Sequence, residues 1–290
     1  MHLSASLKAA VLMLIAMVFF SLMSTFIRLA STELHAFEIV FFRNFLAVIL
    51  MLPWLWHQGL GALQTNRLGM LSLRAVLNVS AMFAGFMALT MIPLAEATAL
   101  SFSAPLFATV GAALLLHEQV RMRRVTALLV GFAGTIIVLQ PGAQAISPGA
   151  ILAIVNAFLL AMTLLVVKTL TRTERPESVV IYMVLLQSPI ALIAAIPFWT
   201  WPSPTMWLWL FLLAAAGTIG HVFFTRAMVI ADVTQVQPFE FVRLPIIAAI
   251  AFWLFGEVPS LWTWIGGAVI FAATAYITHR EAVAERRQEE

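Results

Sequence analysis

The chain has no cysteine among its 290 residues. Disulfides, thiolate metal centres and a cysteine nucleophile are therefore excluded. Charge is almost as scarce: Asp, Glu, Lys and Arg make up 10% of the residues, against about 25% in soluble domains. Sites built from several polar groups are missing too. The segment HEQVR at 117–121 lacks the second histidine of an HExxH zinc site. No P-loop or GxGxxG stretch occurs, the His and Asp residues do not cluster, and no connecting segment is long enough to house a soluble catalytic domain. The expectation is no catalytic residue, no metal and no cofactor.

What the chain has in excess is apolar residues, 62% of the total, with a mean hydropathy of +1.01. Water-soluble packing cannot hide that much apolar surface, so the chain reads as an integral membrane protein with the lipid bilayer as its surroundings. The isoelectric point of 9.9 does not indicate nucleic acid, because the net charge is only +3 and the basic residues lie in short loops. The first apolar run, 9–27, is too long for a signal-peptide core and lacks a small-residue exit before Arg28, so it reads as a retained span.

A membrane helix needs roughly 20 apolar residues. Ten runs meet or approach that length: 7–27, 37–56, 70–89, 95–116, 125–140, 149–167, 179–199, 206–224, 235–255 and 260–278. With the N-terminus inside, 12 of the 16 Lys and Arg fall on the inner side and only Arg28 in an outer loop, while Arg43, Arg74 and Arg243 lie within spans. That asymmetry puts both termini in the cytoplasm. Shifting the chain by 139–140 residues sets Arg28 on Lys168, Glu38 near Glu177, Pro105 on Pro245 and Glu118 near Glu257. Each half holds five spans, an odd number, so the second half enters the membrane upside down. Inverted repeats of this kind are a common plan of secondary transporters, with the site between the halves near mid-membrane.

Five motifs recur in order: FEIVFFRNFLA (37–47), FMALTMIPLAEATALSFSAPLF (86–107), HEQVRMRRVTALLVGFAGTIIVLQPG (117–142), PFEFVRLPIIAAIAFWLFGEVP (238–259) and TWIGGAVIFAATAYI (263–277). Together they resemble the EamA-type members of the drug/metabolite transporter superfamily, over about residues 8–278. The resemblance implies an all-α integral membrane protein of ten transmembrane helices in two inverted five-helix repeats. The first repeat would cover 8–142, the second 147–278, and a cytoplasmic tail 279–290. It also implies an inner-membrane location, a central cavity and alternating access. LHAFEIVFFRNF is most similar to the bacterial subgroup that imports riboflavin and S-adenosylmethionine. The expected solute is therefore a small organic metabolite such as riboflavin or a similar heterocycle, moved with or without a coupling ion, proton or sodium. Export of amino acids, other metabolites or drugs is the alternative, and a channel or a membrane enzyme the rivals of another class.

A charge at the bilayer centre costs roughly 2.5–3.5 kcal/mol on insertion scales, so it is kept where it faces a cavity or a partner. Glu240 and Arg243, three residues apart in QVQPFEFVRLP, share a helix face that Gln237 extends. They read as a solute or proton site, or as a self-neutralising pair. Arg43 would meet a solute carboxylate, or pair with Glu38 or Glu96. Asn78 and His221 are weaker candidates, with a helix–helix hydrogen bond and a buried neutral imidazole as their plain readings. Arg74 reads as snorkelling to the inner surface, Glu38 and Glu96 as interfacial, and Gln187 as undecided between packing and solute contact.

Overall fold

The computed structural model describes residues 5–59, 65, 67–115, 122–139, 146–170, 176–230 and 237–289. Its helices are α1 (Ala5–Ala30), α2 (Ala36–Gln58), α3 (Leu68–Met91), α4 (Leu94–Ser101), α5 (Ala104–Leu115), α6 (Met122–Leu139), α7 (Pro148–Leu170), α8 (Pro176–Ala195), α9 (Pro204–Ile230), α10 (Arg243–Phe255) and α11 (Leu261–Glu289). A 3₁₀ turn, Ile196–Phe198, follows α8, and a longer one, Gln237–Val242, precedes α10. Six spans are long and apolar enough to cross a membrane, and four shorter apolar helices complete the ten. The helix α11 runs on to Glu289, through the segment expected as a tail.

Helix ends are set by local chemistry. His35 and Glu38 form a reciprocal capping box at the start of α2. Ser147 and Ser260 accept hydrogen bonds from the backbone N–H groups of Ala150 and Thr263, at the starts of α7 and α11. Gly256 closes α10 in the left-handed region, at φ 66°, where a side chain would be strained.

Helix pairing repeats across the two halves. The pairs α1/α9 and α3/α7 correspond when the halves are exchanged; so do α2/α9 and α3/α8, and α1/α10 and α5/α7. The pairs α2/α8 and α6/α11 map onto themselves, as does the pairing of the fourth span with the ninth, made through α4 and α10. The inversion is visible at one residue: Glu257, just beyond α10, accepts a hydrogen bond from the backbone N–H of Leu94, the first residue of α4. The matched spans thus pass through one layer in opposite directions.

Two spans expected as continuous helices are broken in matched places. The fourth stops at Ser101 and resumes at Ala104; the ninth is a 3₁₀ turn to Val242 and an α-helix only from Arg243. Pro105 and Pro245 sit in the first turn of the restarted helices, where a missing N–H costs least. The large aromatics at the helix ends face outward: Trp56, Trp201 and Trp253 are 89%, 76% and 86% exposed, as bilayer-interface residues are.

Candidate functional site

The interior face of α9 leads to the site. Leu210, Leu213, Ala214 and Gly217 form its buried stripe. His221, one turn beyond Gly217 on that stripe, is instead accessible, although protein atoms surround it. Protein atoms surround the ring, yet part of its surface stays uncovered. Ile219 and Val222 are exposed on the same helix.

Phe20 of α1 is the hub of a cluster that includes His221. Its ring meets the His221 ring edge-on at 5.0 Å, and the Arg243 guanidinium lies 5.9 Å from its centre, within cation–π range. Arg243 donates to Ser24 Oγ at 2.7 Å. A Cβ added at Gly220 would lie 2.8 Å from the Phe20 ring, so this glycine lets α1 and α9 approach closely. A Cβ on Gly217 would lie 3.1 Å from Met23 Sδ and 3.6 Å from Arg43 Nε, which puts Arg43 of α2 beside the same stretch of α9. Arg43 is 6% exposed and donates to Asn44 Oδ1 at 3.1 Å. The guanidiniums of Arg43, Arg74 and Arg243 all lie within electrostatic reach of His221.

Of the expected residues, Arg43, His221 and Arg243 therefore converge, drawn from both halves. Glu240 lies within electrostatic reach of Arg243 but does not form an ion pair with it at 4.0 Å or less; the self-neutralising pair is not made. Its premise changes too, because Glu240 sits in the 3₁₀ turn and Arg243 opens the α-helix. The side chain of Gln237 lies outside the described residues. Asn78 is half-buried one turn beyond Arg74 on α3, and no contact joins it to the Phe20 cluster. Arg74 is half-buried, and its charge lies within electrostatic reach of His221. Phe20, Ser24, Gly217 and Gly220 were not singled out from the sequence, since apolar and small residues in an apolar run carry no cost that would mark them. Gln187 is fully buried, and neither its Oε1 nor its Nε2 has a hydrogen-bond partner.

At the other end of α1 the halves are joined by a polar seam. Arg28 pairs with Glu257 at 2.7 Å and also donates to the carbonyls of Leu89 and Ile92, at the end of α3. Glu38, expected at the interface, is instead 0% exposed. It accepts from the backbone N–H of His35 and from both the N–H and Oγ of Thr200. Glu33 takes the N–H and Oγ of Ser203. His35 stacks on Phe198 with ring centres 3.8 Å apart. Glu33 of the α1–α2 loop and Glu38 of the first turn of α2 therefore hold the α8–α9 connection.

The sequence profile of the EamA-like transporter family matches residues 7–140 and again 147–279. The chain belongs to this family. It is 30% identical to an S-adenosylmethionine uptake transporter of Rickettsia felis, over 89% of this chain and 88% of that one. It is 32% identical to a riboflavin transporter of Vibrio cholerae, over 97% and 96%. A solved crystal structure shares the fold with a TM-score of 0.66 at 19% identity, covering 97% of this chain and 99% of that one. The family, the ten helices and the inverted pairing make the chain a multi-pass membrane protein and a secondary transporter of a small metabolite.

Proposed function

We propose that the chain takes up a heterocyclic metabolite of the riboflavin or S-adenosylmethionine kind. It would do so by alternating access around the cavity at Phe20, Arg43, His221 and Arg243. The observation that carries this reading is the convergence of cationic side chains from both halves on an enclosed yet accessible residue, in a chain related along most of its length to uptake transporters. The two repeats, 8–142 and 147–278, are the moving bodies, and Gln237 and Asn78 complete the solute path. Glu240, the carboxylate beside Arg243, is the group we assign to a coupling ion, proton or sodium.

The charge asymmetry of the loops supports an inner-membrane orientation with both termini cytoplasmic. The Arg28 seam then lies on the outer side, and this conformation is closed outward with its cavity reached from the cytoplasm. The test is growth rescue of hosts auxotrophic for riboflavin or for S-adenosylmethionine, followed by counter-flow in proteoliposomes. Rescue and saturable counter-flow are expected, both lost in Arg243→Ala while that variant still inserts and folds. Non-saturable flux would indicate a channel, and flux only toward the outside an exporter.

A further inference from the structure

Among the described residues the charges around Phe20 do not balance. Arg43 and Arg243 bring two cations, and the one hydrogen bond of Arg43 goes to the neutral Asn44. Arg243 uses one Nη2 on Ser24, while its Nε is buried with no partner. Among the described residues, Glu240 is the acid that acts on Arg243, and it lies beyond ion-pair distance. Glu33, Glu38 and Glu257 are occupied in the seam. One acid among the described residues, Glu240, thus acts on Arg243, and a buried cation short of counter-charge is expensive in a bilayer.

The two arginines are also placed to act on one group. Arg43 stands beside Gly217, and Arg243 shares the Phe20 ring with His221 and Gly220. Gly217 and His221 are one turn apart on α9, so both guanidiniums sit within about a helical turn of the same level. A guanidinium offers a planar fork of donors that matches a carboxylate or phosphate. The ring of Phe20 and the hydroxyl of Ser24 hold the Arg243 fork in place.

We infer that the solute carries an oxyanion, a carboxylate or a phosphate, which docks between Arg43 and Arg243 against the face of Phe20. The inference rests on the reading of this cluster as the solute site and narrows it. Of the two solute kinds, S-adenosylmethionine has a carboxylate, and riboflavin has no such group. A solute without an oxyanion would bring no counter-charge to Arg43 and Arg243.

The experiment has two arms, both on the purified full-length protein. In the first, inorganic phosphate is the probe, and thermal unfolding is followed against chloride at equal ionic strength. Phosphate is expected to raise the melting midpoint of the wild type. The shift should disappear in Arg243→Gln and in Arg43→Gln, and survive in part in Arg243→Lys. In the second, proteoliposomes are offered S-adenosylmethionine beside its decarboxylated analogue, and riboflavin beside riboflavin 5′-phosphate. The member bearing the oxyanion should bind tighter by about tenfold or more, the scale of one charge-assisted hydrogen bond.

Absence of a phosphate shift in the wild type overturns the inference. So does an equal shift in both glutamine variants, or in whichever of them is recovered folded. Tight uptake of riboflavin with no gain from the phosphate would also overturn it, while leaving the uptake reading intact. A phosphate shift that depends on Arg243, with no transport of any of the four compounds, would sink the proposed solutes and keep the oxyanion site.

Discussion

Gly220 and Gln187 show at single positions what the interior demands. A methyl on Gly220 would come within 2.8 Å of the Phe20 ring, and that ring cannot move without disturbing both His221 and Arg243. Gly220→Ala is expected to lower stability by about 1–3 kcal/mol, as overpacking does, and to raise the Km for the solute. Melting curves and proteoliposome uptake read the two effects separately; an unaltered Km would remove Phe20 from the site. Gln187 is the opposite case, a buried amide with nothing to bond. Gln187→Met keeps its shape and removes the unmet polar atoms, so stability should rise by about 1–3 kcal/mol. A drop in melting temperature would mean that the amide has a partner in the working protein. Arg43, His221 and Arg243 were legible in the sequence because a polar group in an apolar run is conspicuous. Glu38 was misread because its main partner, Thr200, lies 162 residues away and nothing local announces it.

At the scale of helices, spans were legible wherever an apolar run of membrane length ended in loop chemistry, as α1 and α7 do. The interruptions were not. Pro105 and Pro245 signalled a kink, but a proline does not say whether the backbone bends, loosens into a 3₁₀ turn or stops. At Gln237–Val242 it loosens, and at Phe102–Ser103 it stops. Sequence gave still less warning of the α6/α11 contact. There, a Cβ on Gly266 would lie 2.6 Å from the carbonyl oxygen of Gly134, and one on Gly134 would lie 3.0 Å from that of Gly266. Small residues let membrane helices approach backbone to backbone, and here the obstacle is main chain, which cannot rotate aside. Gly266→Ala should therefore destabilise by about 1–3 kcal/mol or force the two helices apart. Thermal unfolding checks it, with Gly69→Ala, where an added Cβ meets nothing within 4 Å, as the control. Equal melting of both variants would mean the crossing has slack.

For the molecule as a whole, the proposed alternating access would couple the seam to the Phe20 cluster. The absence of cysteine makes this measurable, since a single His221→Cys variant reports on one position with no background. A membrane-impermeant thiol reagent should label it from the side opposite the seam and hardly at all from the seam side. Adding Glu257→Gln removes the carboxylate that holds Arg28 and the N–H of Leu94. Labelling from the seam side should then rise, by about tenfold for each 1.4 kcal/mol lost. Unchanged labelling would show that the ion pair is ornamental to the conformational balance.

The make-up of the seam also bears on speed and on leak. A carrier of this kind must part and remake it in every cycle, and each 1.4 kcal/mol invested there slows opening about tenfold. The three acids reach separate segments: Glu257 the end of α1 and the start of α4, Glu38 the connection at Thr200, and Glu33 the residue before α9. Losing one leaves two in place, so a stray fluctuation does not open both ends at once. On the proposed uptake reading, slow turnover and little leak are the expected consequence, a combination suited to a scarce metabolite rather than to bulk flow.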